Sequence, residues 1–147
     1  MSTKTILLIH GPNLNKLGQR DPEHYGNLTL ETLEQAVKTH AASKHLNVEC
    51  FQSNHEGALI DTLQQTQAVA IIINAGALTH YSYALHDAII DSRLPTVEVH
   101  LSNIQAREPW RAHSVIAPAC IHTIMGKKLQ GYLEAIDFLT EHLNHAD

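Results

Sequence analysis

Two short runs in which almost every residue is apolar constrain the fold more than any other feature of the sequence. They are TILLIH (Thr5–His10) and AVAIIIN (residues 68–74). A strand with one face in water alternates apolar and polar residues, whereas a strand covered on both faces of a parallel sheet is apolar throughout. The two runs therefore predict buried strands of a parallel sheet that has layers packed on both faces.

Three further strands are predicted, the last from a weaker pattern: residues 48–53, Thr96–His100 and 120–125. Apolar residues recur at helical spacing in four other segments: residues 28–46, 57–66, 80–93 and 131–143. Strands that alternate with helices predict an α/β fold. Five strands in 147 residues favour a flavodoxin-like three-layer sandwich with a five-stranded parallel sheet. Without repeats or a linker-like segment, residues 1–147 are predicted to form a single domain.

Composition and charge exclude several classes of protein. The net charge is −5 and no basic block is present, which argues against a general nucleic-acid binder. Cys50 and Cys120 form no CxxC pattern, so free thiols in a reducing cytoplasm are the simplest interpretation. No apolar stretch approaches the roughly 20 residues that span a bilayer. We therefore expect a cytoplasmic protein that binds neither nucleic acid nor membrane.

Polar residues cluster where the predicted strands end. The segments that follow four of them read HGPNLN, QSNHEG, NAGALTH and VHLSN. Ligands of open α/β sheets bind outside the carboxyl ends of the strands. Any one of these Asn or Gly residues is equally well explained as a turn or helix cap. Taken together, the four polar strand ends predict a binding site at one edge of the sheet.

Familiar nucleotide, metal and nucleophile motifs are missing from the sequence. There is no GxGxxG, and the GKK at Gly126 lacks the remaining residues of a P-loop. No HExxH or GxSxG occurs, and His80 and His86 do not share one helix face. We therefore expect no nucleotide binding by these motifs, and a zinc site, although possible, has no support in the sequence.

Acid–base chemistry is what the remaining residues permit. Glu98 and His100 are two apart in the strand VEVH, so their side chains point to the same face. A carboxylate there holds one ring nitrogen and leaves the other free to exchange a proton. The same spacing is also compatible with a histidine that only caps the following loop.

The long polar segment after the first strand contains a second group able to exchange a proton. Arg20 and Tyr25 lie between Gly18 and Gly26, which we interpret as hinges of a mobile flap. A nearby arginine favours the phenolate form of a tyrosine. A tyrosine that only anchors the loop to the core is the alternative.

Seven motifs together resemble the type II 3-dehydroquinate dehydratases. In order, they are GPNLNKLGQRDPEHYG, QSNHEG, NAGALTH, ALHDA, VEVHLSN, REPWRAHS and GYLEA, and they run from His10 to Ala135. The resemblance implies a flavodoxin-like fold and loss of water from 3-dehydroquinate by anti elimination through an enolate, giving 3-dehydroshikimate. It implies no metal, cofactor or lysine imine, and a place in aromatic amino acid biosynthesis or, alternatively, in quinate breakdown.

The resemblance also implies a role for each catalytic residue. Tyr25 would be the base that removes the proton beside the ketone, and Arg20 would lower its pKa. His100 would be the general acid, oriented by Glu98. Asn13 would help to hold a water molecule against the enolate oxygen.

The binding residues and the assembly follow in the same way. Asn74, Ser102 and the backbone at Leu101 would receive the substrate carboxylate. His80, Arg111 and Asp87 would bind the ring hydroxyls, with Asp87 contributed by a neighbouring subunit of a trimer, four of which form a dodecamer. The substrate is an anion, so Arg20, Arg107 and Arg111 must outweigh the negative net charge at the site.

Four positions depart from the usual family pattern, and none of them is a proposed catalytic residue. Tyr81 stands where Thr is usual, Trp110 where Phe is common, and Lys127–Lys128 where an apolar-Gly pair is usual. Three alternatives remain: another cofactor-free lyase of this fold, a non-catalytic small-molecule-binding relative, and a flavodoxin-like electron carrier. The intact Tyr25, Arg20 and His100 argue against the second.

Overall fold

The computed structural model describes residues 3–19 and 27–145. Five strands form one sheet in the order β2-β1-β3-β4-β5, and every neighbouring pair is parallel. Their bounds are β1 Thr5–His10, β2 Asn47–Gln52, β3 Ala70–Asn74, β4 Thr96–His100 and β5 His122–Met125. All five predicted strands are confirmed, within two residues at each end.

Four α-helices accompany the strands: α1 Leu30–Ser43, α2 Glu56–Gln65, α3 Tyr83–Ser92 and α4 Leu129–His145. Local chemistry determines where two of them begin. The Thr29 and Thr32 side chains cap each other's backbone at the start of α1. Ser82 accepts from the Leu85 amide and starts α3, so α3 begins three residues later than the apolar pattern from residue 80 predicts.

The helices cover both faces of the sheet and build two cores. Helices α1 and α4 pack on one face, and α2 and α3 pack on the other. Side chains alternate along β1, so that Ile6 and Leu8 enter the first core while Leu7 and Ile9 enter the second. Burial on both faces explains the continuous apolar runs and confirms the predicted three-layer α/β architecture.

The chain order creates a crevice between β1 and β3. Helix α1 leads from β1 to β2 on one side of β1, whereas β3 lies on the other side. This is the topological switch point, where open α/β sheets bind their ligands. The two strand ends approach closely: the Gly11 amide donates to the Asn74 carbonyl at 2.7 Å. A Cβ at Gly11 would lie 2.3 Å from the Ala75 carbonyl oxygen, so this position requires glycine.

The connection from β4 to β5 contains no α-helix. It consists of three short 3-10 turns, Ile104–Ala106, Pro109–Ala112 and Ala117–Ala119. Ile116 and Val115 are nevertheless buried in the second core, which fixes this irregular segment against the sheet. Within residues 3–19 and 27–145, no helix is long and apolar enough to cross a membrane.

Candidate active site

A pocket of about 100 Å³ opens at the carboxyl ends of β1, β3 and β4. Seven of the residues predicted for the site line it: Asn13, Asn74, His80, His100, Leu101, Ser102 and Arg111. The other lining residues are Pro12, Leu14, Gly76, Ala77, Ile104 and Arg107. Three of the four polar strand ends predicted to meet at one edge of the sheet therefore line this pocket, and the fourth, QSNHEG, does not.

Glu98 and His100 form the hydrogen-bonded pair that their spacing predicts. Val97 and Val99 face the core under α4, so Glu98 and His100 point together to the opposite face of β4. The Glu98 Oε2 atom lies 2.6 Å from His100 Nε2, and both side chains are almost fully buried. His100 also lines the pocket.

The Glu98 carboxylate is held by three side chains. Ser114 Oγ donates to Oε2 at 2.8 Å, and Thr123 Oγ1 donates to Oε1 at 3.1 Å. Burial alone would raise the pKa of Glu98, but the hydrogen bond and charge of His100, with the two hydroxyl donors, outweigh it and lower the pKa below its ordinary value. An ionised carboxylate only accepts, so Nε2 of His100 carries a proton and Nδ1 is the nitrogen left for exchange.

A strained turn presents Asn13 to the pocket. Its φ is +73°, a left-handed conformation that Asn tolerates better than most residues, and the 3-10 turn Leu14–Lys16 follows it. The Asn13 amide donates to Asn54 Oδ1 at 2.9 Å, and Gln52 Nε2 donates to the Gly11 carbonyl at 3.2 Å. The end of β2 thus anchors the turn that follows β1.

His80 lies in the 3-10 turn Gly76–His80. Its Nδ1 donates to the His113 carbonyl at 2.8 Å, so in the neutral ring Nε2 is the nitrogen without a hydrogen. Burial lowers the pKa of His80, and the positive charges of His100 and Arg111 lower it further against the opposing hydrogen bond to His113. A neutral His80 offers Nε2 as an acceptor for a hydroxyl group.

Trp110 supports two pocket residues at once. Its ring meets His80 edge-on, with centroids 5.2 Å apart, and the Arg111 guanidinium carbon lies 4.1 Å from its centroid. About half of the Trp110 side-chain surface remains exposed. Sequence reasoning noted Trp110 only as a departure from the family pattern and missed this supporting contact.

Arg107 adds a second guanidinium to the pocket. It lines the cavity beside Ser102, and its Nη1 donates to Ser102 Oγ at 3.4 Å. From the sequence, Arg107 is expected only to add local positive charge, without a role in binding. Its place in the motif REPWRAHS, four residues before Arg111, was the available signal.

Asp87 does not line the pocket of its own chain. It lies on α3 with 75% of its side chain exposed, and its Oδ1 contacts His86 Nδ1 at 3.0 Å. Tyr25, the predicted base, and Arg20, its predicted partner, fall outside the described residues. In residues 3–19 and 27–145, no group of three or more His, Cys, Asp or Glu side chains is arranged to hold a metal ion.

The described geometry defines a three-layer α/β protein with a carboxylate–histidine pair in a cationic pocket at its switch point. A family model for dehydroquinase class II matches residues 4–140. The chain belongs to the class II dehydroquinase family, as the motifs predict.

Curated relatives and solved structures agree with this assignment. The 3-dehydroquinate dehydratase of Ruegeria pomeroyi is 54% identical over 142 residues, which is 95% of each chain. The catabolic 3-dehydroquinase of Verticillium alfalfae is 46% identical and covers 97% of this chain and 96% of its own. The crystal structure of type II dehydroquinase from Butyrivibrio crossotus superposes with a TM-score of 0.91 at 46% identity, covering 95% of this chain and 99% of its own.

Proposed function

We propose that this chain is a hydro-lyase that converts 3-dehydroquinate to 3-dehydroshikimate and water in the shikimate pathway of aromatic amino acid biosynthesis. The observation that carries the proposal is the buried Glu98–His100 pair, which opens into a pocket lined by Arg107 and Arg111. Loss of a hydroxyl β to a ketone needs a base, an acid and a group that stabilises the enolate. The family membership and the names of the relatives support the same reaction.

His100 is the general acid of this mechanism. Glu98 holds Nε2–H and stabilises the imidazolium, so Nδ1 carries the proton to be donated. That proton goes to the departing hydroxyl, which leaves as water when its C–O bond breaks. The electron pair of the enolate then forms the new C=C bond of the enone.

Tyr25 is the base that starts the reaction. As a phenolate it takes the proton from the carbon beside the ketone, and the C–H electron pair becomes the enolate. Arg20 keeps the phenolate form accessible near neutral pH. Asn13, which the left-handed turn places at the pocket, holds a water molecule against the enolate oxygen.

The remaining residues bind the substrate. Asn74, Ser102 and the backbone of Leu101 receive the carboxylate on the side of the pocket near Arg107. Neutral His80 and Arg111 bind ring hydroxyls. Two guanidinium groups at one small cavity give a local positive field despite the net charge of −5.

The proposed enzyme is a cytoplasmic homo-oligomer, a dodecamer built from trimers, and it uses no cofactor. Asp87 is exposed on α3, outside its own pocket, and completes the site of a neighbouring subunit. Tyr83 and Ile90 lie one turn on either side of Asp87 on α3 and are 67% and 51% exposed. A surface with apolar residues around a functional carboxylate is suited to an interface between subunits.

The direct test is to add 3-dehydroquinate to purified, chelator-treated protein and follow the ultraviolet absorbance of the enone product. We expect a rapid rise that borohydride treatment does not reduce, because the mechanism involves no lysine imine. His100→Ala is the matched variant and should abolish most of the rise while the protein stays folded. A folded wild-type protein that produces no enone would reject the proposed function.

A further inference from the structure

One polar contact connects the C-terminal helix to the pocket from behind. Tyr132 on α4 is fully buried, and its hydroxyl lies 3.0 Å from Asn74 Nδ2 at the end of β3. The rest of the buried face of α4 that follows Tyr132 is apolar, with Ala135, Ile136 and Leu139 in the same core. A phenylalanine would satisfy packing in that core, so the hydroxyl calls for an explanation beyond packing.

A second contact fixes which way the Asn74 amide points. The Gly76 backbone amide donates to Asn74 Oδ1 at 3.1 Å. A backbone N–H only donates, so the atom facing it must be the carbonyl oxygen of the side chain. Nδ2 therefore faces Tyr132, whose oxygen accepts from it.

This arrangement leaves one donor for the pocket. Nδ2 of asparagine carries two N–H groups, and only one of them is used by Tyr132. Asn74 lines the pocket, so the second N–H is the group that its side chain can offer to a bound anion. Burial raises the pKa of the Tyr132 phenol far above its ordinary value, so no negative charge forms behind the anion site.

We propose that Tyr132 is a positioning residue for the substrate carboxylate, acting by holding the Asn74 amide with one N–H directed into the pocket. The proposal rests on the proposed function, because it assigns the carboxylate to Asn74. Tyr132 itself does not touch the substrate. Its hydroxyl and the Gly76 backbone N–H hydrogen-bond the nitrogen and the oxygen of the Asn74 side-chain amide, and together they restrict its rotation.

The test is Tyr132→Phe, which removes the hydroxyl and keeps the ring that packs in the core. The carboxylate keeps its negative charge throughout the elimination, so its hydrogen bond to Asn74 is made equally in the ground and transition states. Weakening that bond therefore raises KM and leaves kcat unchanged. We expect KM for 3-dehydroquinate to rise by roughly 3- to 10-fold and kcat to stay within about 2-fold. A fall in kcat with KM unchanged would overturn the proposal.

A second ligand separates positioning from a general loosening of the core. The dissociation constants of 3-dehydroshikimate and of its methyl ester are measured by calorimetry for wild type and Tyr132→Phe. The variant should weaken the carboxylate ligand by the same factor as KM and leave the ester almost unaffected. Equal weakening of both ligands would mean that the hydroxyl only stabilises the fold. Ile136→Val, in the same core, is the control that loosens packing. It should change neither KM nor the affinity of the acid relative to that of the methyl ester.

These measurements also distinguish this proposal from the proposed function. If wild type binds 3-dehydroshikimate but forms no enone from 3-dehydroquinate, the function fails while the comparison of acid and ester still decides the role of Tyr132. If Tyr132→Phe does not fold, a crystal structure of wild type with bound 3-dehydroshikimate tests the role of Tyr132. A carboxylate oxygen hydrogen-bonded to Asn74 Nδ2, with the Tyr132 contact kept, supports the proposal, and a carboxylate bound elsewhere overturns it.

Discussion

In the proposed mechanism, Glu98 serves catalysis through its neighbour His100. Its carboxylate is inaccessible to substrate, yet it determines which nitrogen of His100 exchanges a proton. In Glu98→Gln the imidazolium loses its counter-charge, and we expect kcat to fall by about 10²-fold or more. Ser114→Ala removes one hydrogen-bond donor to Glu98 and keeps the carboxylate charge, so its kcat should fall much less. Steady-state kinetics of both variants provide the measurement, and a loss below about threefold in Glu98→Gln would contradict this role.

The same carboxyl group should make stability depend on pH. Its pKa is lower in the folded state than the ordinary value of 4.5, so folding favours the ionised form. The stabilisation is fully present above about pH 4.5 and is lost as pH falls through the lower folded pKa. Thermal midpoints measured from pH 7 to pH 3 should therefore fall more steeply for wild type than for Glu98→Gln. Parallel curves for the two proteins would show that the pKa of Glu98 is the same in the folded and unfolded states.

Both thiols should be chemically inert in the native protein. Burial raises the pKa of Cys50 and of Cys120 to about 12, in each case with help from a nearby glutamate. At pH 8 the thiolate fraction is then about 10³-fold below that of a thiol in the unfolded chain. Labelling with iodoacetamide in buffer and in denaturant measures this difference. Rapid labelling of the native protein would show that the thiols are more accessible and more acidic than this packing allows.

At the scale of whole elements, the apolar runs are sufficient to predict β1 and β3, because both strands are covered on both faces and bury nearly every residue. Strands β2 and β5 contain exposed positions, so their patterns are weaker. The alternation along β4 is likewise sufficient to pair Glu98 with His100. The start of α3 is not predictable from periodicity, because it is set by the Ser82 side chain, which caps the helix by accepting from the Leu85 amide. Tyr132 is 58 residues from Asn74, so no local pattern could connect them.

The turn between β1 and the 3-10 segment Leu14–Lys16 allows backbone and side-chain roles to be separated at one position. Asn13→Gly and Asn13→Ala both remove the side-chain amide, but only glycine adopts a φ of +73° without strain. We expect Asn13→Gly to be about as stable as wild type and Asn13→Ala to lose about 1 kcal/mol of unfolding free energy. Both should lose most activity, because neither holds the water that faces the enolate.

Chemical denaturation and the enone assay measure the two effects on the same samples. Equal stability of the two Asn13 variants would mean that the left-handed backbone carries no strain in solution. Full activity of the stable glycine variant would remove the side chain from the mechanism. Asn54→Ala is the companion variant, because it removes the oxygen that accepts from the Asn13 backbone N–H and leaves the Asn13 side chain intact. It should reduce activity because the turn that presents Asn13 loses this anchor.

At the scale of the molecule, the pocket of a single chain contains His100 but not Asp87, which projects from α3 elsewhere on the surface. If neighbouring subunits share sites, His100→Ala and Asp87→Ala damage different halves of the same site. Mixed assemblies should then regain activity, because some sites combine the intact His100 of one variant with the intact Asp87 of the other. Random 1:1 mixing around a ring predicts that about one quarter of the sites are intact.

Co-expression of the two variants, carrying different affinity tags, provides the mixed assemblies, and each variant expressed alone supplies the baseline. Assays below KM report the recovered sites directly, since the loss in Asp87→Ala is a loss of substrate binding. Activity near one quarter of wild type would establish that each site needs two chains, and dissociation of the assembly by dilution should then abolish turnover without unfolding the subunits. Activity equal to the average of the two variants alone would place every required group, and therefore the whole reaction, within a single chain.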